Sequence, residues 1–229
     1  RQLTKKHWNE LEEDVVDRIW AVLGSSVHSF LETAYKGTTA RLEERIYAEV
    51  RGWKVGGQFD VLDGDTLSDY KLTSIFGASG KKEWENQLNV LRWLLHKNGT
   101  EVKNLEIVII FRDWRQGESK RDHNYPKRTK KIIIPVWDLS EAEKYVNERV
   151  ALHQMEDPPS CTDEERWTTP EQWALMKKGG KRAIKLFPSQ QGVTLEKDQY
   201  WEHRPAVYRR CQDYCAVSKF CKVWNSTLF

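Results

Sequence analysis

The stretch from Gly56 to Leu72, GGQFDVLDGDTLSDYKL, constrains this chain more than any other. Two apolar-rich runs, FDVL and LSDYKL, flank Asp63-Gly64-Asp65-Thr66, a turn whose glycine accepts positive φ, so the stretch reads as a β-hairpin. A Gly64-Asp65 loop pairs residues whose numbers sum to 129 and sets Asp60 directly opposite Asp69; an Asp63-Gly64 loop makes that pairing diagonal. In either register the two aspartates and Lys71 share one face, because side chains alternate with period two. Carboxylates about 5 Å apart repel by about 3 kcal/mol at an effective dielectric near 20. A hard divalent cation compensates such a pair directly, and an ammonium two residues along the strand balances charge and can orient or activate a water. The competing reading of a D-x-K is a solvated acidic turn. An EF-hand loop does not fit, because Gly64 is at the wrong offset and no helices flank it.

The neighbours of the hairpin favour the metal reading. In order the chain carries Gly24-Ser-Ser-Val-His28, Gly57-Gln-Phe-Asp60, Asp69-Tyr-Lys71 and, sixteen positions after Lys71, Gln87. Over roughly residues 20 to 150 this resembles the RecB-like branch of the PD-(D/E)xK nucleases, whose motifs are G-x-x-x-H, G-x-x-D, D/E-x-K and Q-x-x-x-Y. The last motif departs from the family: Leu91 stands where a tyrosine, usually assigned to substrate handling, is expected. The resemblance implies a restriction-endonuclease-like α/β core, a central mixed sheet flanked by helices. It implies Mg²⁺ or Mn²⁺ held by His28, Asp60, Asp69 and the main-chain carbonyl of Tyr70, with Lys71 and Gln87 completing the catalytic set. Glu49 is a further acidic candidate for that site, or part of a solvated face.

The composition is that of a soluble protein: 31% of residues are charged and the mean hydropathy is -0.74. No apolar run is long enough to span a membrane and no signal-peptide pattern occurs, so an intracellular, cytoplasmic protein is expected. A net charge of +3 is too weak to argue for nucleic acid by itself; local charge matters more.

Residues 7 to 36 carry apolar residues at helical spacing (Leu11, Val15, Ile19, Val22), with Gly24 predicted to interrupt the helix and Ser25 to cap a second run bearing His28 in its first turn. Residues 38 to 50 read as a charged helix or an entering strand. Lys82 to Lys97 reads as a helix stopped by Asn98-Gly99, with Trp84, Leu88, Leu91 and Leu95 in one stripe. LEIVIIF, residues 105 to 111, reads as a strand buried on both faces, and 131 to 136 as another. The basic, turn-rich segment between them is either a solvated loop or a flap in which Lys127, Arg128, Lys130 and Lys131 grip phosphates while Trp114 and Tyr125 stack on bases. Ser140 is placed as the cap of a helix running to about His153, and Pro158-Pro159 as the domain boundary, giving a core over 1–157 and a C-terminal segment over 158–229.

All four cysteines follow that boundary: Cys161, then Cys211-x3-Cys215-x5-Cys221. In an intracellular chain such a cluster is read as a metal site before a disulfide framework. One distant cysteine plus a compact triplet suits a [4Fe-4S] cluster, with zinc as the alternative. The triplet resembles the iron-sulphur staple of AddB-type and CRISPR-associated RecB-like exonucleases, although their fourth cysteine precedes the core and their inner C-x2-C is one residue shorter. Within the stapled segment Lys177, Lys178, Lys181 and Arg182 line a candidate DNA channel or a solvated face. No Walker A loop, dinucleotide fingerprint or nucleophile elbow occurs. The expected function is therefore a metal-dependent DNA nuclease, an exonuclease by family analogy, acting on DNA that is single-stranded or has free ends, in recombination, repair or processing and with recombination or replication proteins as partners, in a bacterial or phage-infected cell. A binding or adaptor module that cuts poorly is the rival.

Overall fold

The computed structural model describes residues 2–11, 15–78, 82–157 and 159–227. Pro158, half of the expected Pro-Pro break, and Ser79-Gly80 of the loop before the 82–97 helix lie outside the described residues. The chain divides into two compact units, residues 13–156 and residues 157–229 together with 1–12. The sequence-based division differs at the N-terminus, where residues 1–12, including helix α1 (Gln2–Lys6), group with the cysteine-bearing part.

The larger unit is mixed α/β. Its elements are helix α2 (Ile19–Ala34), strands β1 (Arg41–Leu42), β2 (Arg45–Val50), β3 (Trp53–Gln58), β4 (Val61–Asp63) and β5 (Thr66–Thr73), helix α3 (Lys82–Lys97), strand β6 (Asn104–Phe111), helix α4 (Gln116–Arg121), strand β7 (Thr129–Ile134) and helix α5 (Leu139–Gln154). A five-stranded sheet runs in the order β1-β4-β5-β6-β7, with β2 and β3 paired as a separate hairpin. β5 and β6 are parallel, as a crossover through α3 requires, and the other neighbours are antiparallel. The β4–β5 register is Val61 to Ser68, Leu62 to Leu67 and Asp63 to Thr66, with a Gly64-Asp65 loop and Gly64 at φ 58.

α3 lays its apolar side on this sheet. Leu88, Leu94 and Leu95 are fully buried against Leu105, Ile107 and Ile109, each side chain contributing about 1.5–3 kcal/mol. Leu91 belongs to this core, and Gly57 is small for that reason: a Cβ there would lie 2.6 Å from Leu91 Cδ2. The buried Asn89 donates to the Glu85 and Pro135 carbonyls and accepts from Trp137 N–H, fixing the β7–α5 connection to α3. Left unpaired, its amide would cost about 1–3 kcal/mol.

Several expectations are corrected. α2 runs through Gly24 without a break: a single glycine costs a helix only about 1 kcal/mol relative to alanine and does not end it. Ser25 is therefore no cap and His28 is mid-helix. β6 buries one face only, with Leu105, Ile107, Ile109 and Phe111 buried and the alternate residues half-exposed. α5 starts at Leu139 with Asp138, not Ser140, in the cap position.

The smaller unit is built from α6 (Asp163–Arg166), β8 (Thr168–Thr169), β9 (Gln172–Lys177), β10 (Lys185–Phe187), β11 (Gln199–Arg204), β12 (Val207–Tyr208) and α7 (Lys222–Asn225). A capping box between Thr162 and Glu165 starts α6. β9 is the centre of a three-stranded antiparallel sheet, β10-β9-β11, and β8 pairs with β12. The N-terminal segment is held here by the His7 ring stacked 3.7 Å from Phe220 and by Lys219 Nζ donating to the Glu10 carbonyl.

Candidate functional site

The hairpin, α2 and α3 converge on one cluster. His28, on α2, has Nδ1 2.7 Å from Glu43 Oε1 and 3.6 Å from Asp60 Oδ1. The ligand atoms of His28, Glu43 and Asp60 all lie within 4.8 Å of one another. Asp60 ends the β3–β4 connection, and its Oδ2 accepts the Tyr70 N–H at 2.8 Å, which ties it to β5. Gln58 Nε2 donates to Glu43 Oε2 at 2.8 Å and holds the glutamate toward the imidazole.

On β5, Asp69 is 2% exposed and its Oδ2 meets Lys71 Nζ at 2.7 Å. That contact is an ion pair; no well-directed hydrogen bond reaches this buried oxygen. Gln87 bridges the two residues, its Nε2 donating to Asp69 Oδ1 at 2.9 Å and its Oε1 accepting from Lys71 Nζ at 3.2 Å. Lys71 is thereby fixed by groups from β5 and α3.

Burial, and after it the charge of Asp69, push the Asp60 carboxyl up to about 6 against the Tyr70 N–H, His28 and Lys71, which favour its ionised form. Burial also raises Asp69, against the pull of Lys71. A carboxyl held above its ordinary range in a partly dry site, as Asp60 is, gives up its proton more readily when a cation binds beside it. The donor set of imidazole and carboxylates fits a hard divalent ion. Behind Asp60, the hydroxyls of Tyr70 and Tyr35 meet at 3.1 Å and link α2 to β5. Burial and that pairing hold the Tyr70 phenol well above its usual range.

The structure thus brings together His28, Asp60, Asp69, Tyr70, Lys71 and Gln87. It does not bring Glu49, which stands on β2 opposite Lys54 and lines a separate surface cavity of about 360 Å³ with Tyr47 and Arg51. The acidic residue at His28 is Glu43, absent from the sequence-based set. It sits at φ 50 in the turn between β1 and β2, and its N–H donates to the Asp60 carbonyl at 3.0 Å. The charged run around it reads as a solvated face. Only the pairing of β1 with β4 and β2 with β3, both with partner numbers summing to 103, sets position 43 opposite position 60.

No protein-family model matches the chain, and no curated protein does. Among solved structures, the chain is similar to SSO0001 at 19% identity and TM-score 0.48, over 68% of this chain and 70% of that one. It is also similar to a "Putative exonuclease" from Eubacterium rectale at 17% identity and TM-score 0.36, over 84% and 73%.

The basic segment before β7 is arranged differently from a base-stacking flap. Trp114 Nε1 donates to the Pro126 carbonyl at 2.8 Å, Arg128 lies over the Trp114 ring at 4.5 Å, and the Tyr125 hydroxyl accepts the Arg115 N–H. These rings close the loop on itself. Lys127, Arg128 and Lys130 are exposed, whereas Lys131 is ion-paired with Glu106 at 2.8 Å.

In the smaller unit Cys161 is exposed, and Cys211, Cys215 and Cys221 are half-buried, all as free thiols. Burial and the Glu165 carboxylate raise the Cys161 thiol; Arg210 opposes them, and Cys211 and Cys221 lie near enough to add to the rise. Lys177, Lys178, Lys181 and Arg182 are exposed around the β9–β10 turn. Among the described residues, no helix is long and apolar enough to cross a membrane.

Proposed function

We propose that this chain is a divalent-metal-dependent DNA nuclease with a PD-(D/E)xK-type core. The observation that supports it is the pairing of two groups of side chains at one place: the His28, Glu43 and Asp60 donors within 4.8 Å of one another, and the Asp69–Lys71–Gln87 set beside them. His28, Glu43, Asp60, Asp69 and the Tyr70 carbonyl would hold Mg²⁺ or Mn²⁺. When bound, the ion supplies Lewis acidity to a phosphate oxygen. Asp69 and Gln87 fix the Lys71 ammonium, which orients the attacking water and stabilises negative charge developing on the phosphate. Gln87 acts as a positioning residue through both of its partners.

The buried Leu91 supports a second reading. It packs on Gly57 in the core, so the aromatic expected in the fourth motif is missing, and a binding module with slow cleavage would retain the rest of the site. End-labelled linear and closed-circular DNA, incubated with the protein and Mg²⁺, Mn²⁺ or EDTA, separates the two. The nuclease reading expects metal-dependent release of label. Binding of the same DNA with no products in either metal would establish the module.

The four cysteines are proposed to hold one structural [4Fe-4S] cluster in the smaller unit, over residues 158–229. Cys211 and Cys221 lie near enough to Cys161 to act on its thiol. Protein purified without oxygen is expected to be brown, with about four irons and four sulphides per chain. A colourless protein with one zinc would reverse the assignment.

A further inference from the structure

The three-stranded sheet of the smaller unit carries rings across one face. In its register Trp173 stands between Phe187 and His203, and Leu175 between Lys185 and Trp201. With side chains alternating along each strand, Trp173, Phe187, Trp201 and His203 project from the same face. Phe187 and Trp201 meet edge-on at 5.4 Å, and Trp173 and His203 lie tilted at 4.6 Å. A purely structural aromatic cluster would be closed to water. Here none of the four is buried: Leu175 is the buried residue of this face, and Ala174 and Met176 are buried on the opposite one.

The turn leading from β9 into β10 adjoins this face and reads KKGGKRAIK from Lys177, five cations in nine residues with no carboxylate. Lys177 pairs with Asp198 at 3.1 Å. Lys178, Lys181 and Arg182 carry no ion pair among the described residues, and Lys185 Nζ lies 5.0 Å above the Phe187 ring. Open rings beside unpaired cations are the two halves of a stacking and phosphate-binding platform. Stacking needs bases free of a partner strand, so the platform selects single strands over duplex.

We propose that this face binds single-stranded DNA, with bases stacked on Trp173, Phe187 and Trp201 and the backbone running along Lys181, Arg182 and Lys185. The choice of DNA over RNA rests on the function proposed above; the binding itself uses none of the carboxylates of the candidate nuclease site. The test is fluorescence anisotropy of labelled oligo-dT on the full chain in EDTA, where cleavage is suppressed, across a salt series.

Neutralising two cations in the exposed turn, Lys181→Ala with Arg182→Ala, should make the slope of log K against log salt shallower by about 1.4. Trp201→Ala should weaken binding at least fivefold with the slope unchanged, while Trp201→Phe keeps most of the affinity. Thermal melting reports whether each variant is folded, and the turn variant carries the test if Trp201→Ala is not. Failure of the wild type to bind oligo-dT, equal binding of duplex, tighter binding of oligo-U, or a salt slope unmoved in the turn variant would overturn the proposal. Loss of cleavage in Mn²⁺ with oligo-dT binding intact would instead count against the nuclease reading alone.

Discussion

Asp60 is the residue at which the electrostatics of the candidate site can be read most directly. Its carboxyl moves from an ordinary 3.8 to about 6 because it is buried beside Asp69. Between about pH 4 and 6 the metal-free fold therefore holds a proton that the unfolded chain has released. Stability contributed by that proton is present at low pH and is lost as pH rises through the window, by about 3 kcal/mol. The melting temperature of the metal-free protein should accordingly fall between pH 4.5 and 7, and Asp60→Asn should flatten that fall and stabilise the protein at pH 7. An Asp60→Asn variant less stable than wild type at pH 7, with the same pH profile, would contradict this reading. Glu43 shows the limit of sequence at this scale. Asp60, Asp69 and Lys71 share a short hairpin whose two-residue loop fixes their register, whereas Glu43 reaches the site from a turn with a left-handed backbone, through strand pairing that no local pattern announces.

At the scale of elements, the parallel β5–β6 and antiparallel β6–β7 pairings put Lys71, Ile109 and Lys130 in one lateral row. Lys130 therefore shares the face of Asp69 and Lys71, about 10 Å from Lys71 across two strand spacings. Lys131 faces the other way and is engaged by Glu106. Of the cations on β7, Lys130 is the one on the face of the candidate site, and under the proposed nuclease function it would meet a phosphate next to the scissile one. Lys130→Ala should weaken binding of a DNA substrate in Ca²⁺ several-fold, and Lys131→Ala should leave it within a factor of two; equal effects would remove the distinction. The helical stripe of α3 and the hairpin of β4 and β5 are legible in the sequence because each follows one period. The uninterrupted α2 is not, since the glycine at position 24 weakens helix propensity without ending the helix, and the rings of Trp114 and Tyr125 look free until Pro126, Arg115 and Arg128 are seen to occupy them.

At the scale of the whole molecule, the chain joins a larger unit that carries the carboxylate site to a smaller one that carries the thiols, the ring-bearing sheet and the basic turn. The grouping of residues 1–12 with the smaller unit follows from His7 on Phe220 and Lys219 on Glu10, contacts between segments too far apart in sequence for any pattern to pair. The central claim concerns the larger unit: that Asp69, Lys71 and Gln87 serve phosphodiester hydrolysis beside a divalent ion. Its most direct test is the initial rate of DNA cleavage at saturating Mn²⁺ for the wild type and for Lys71→Ala, with Mn²⁺ binding measured on both. The rate should be lower by at least a hundredfold in Lys71→Ala, with the protein folded and Mn²⁺ still bound. Cleavage by folded Lys71→Ala at the wild-type rate would contradict it.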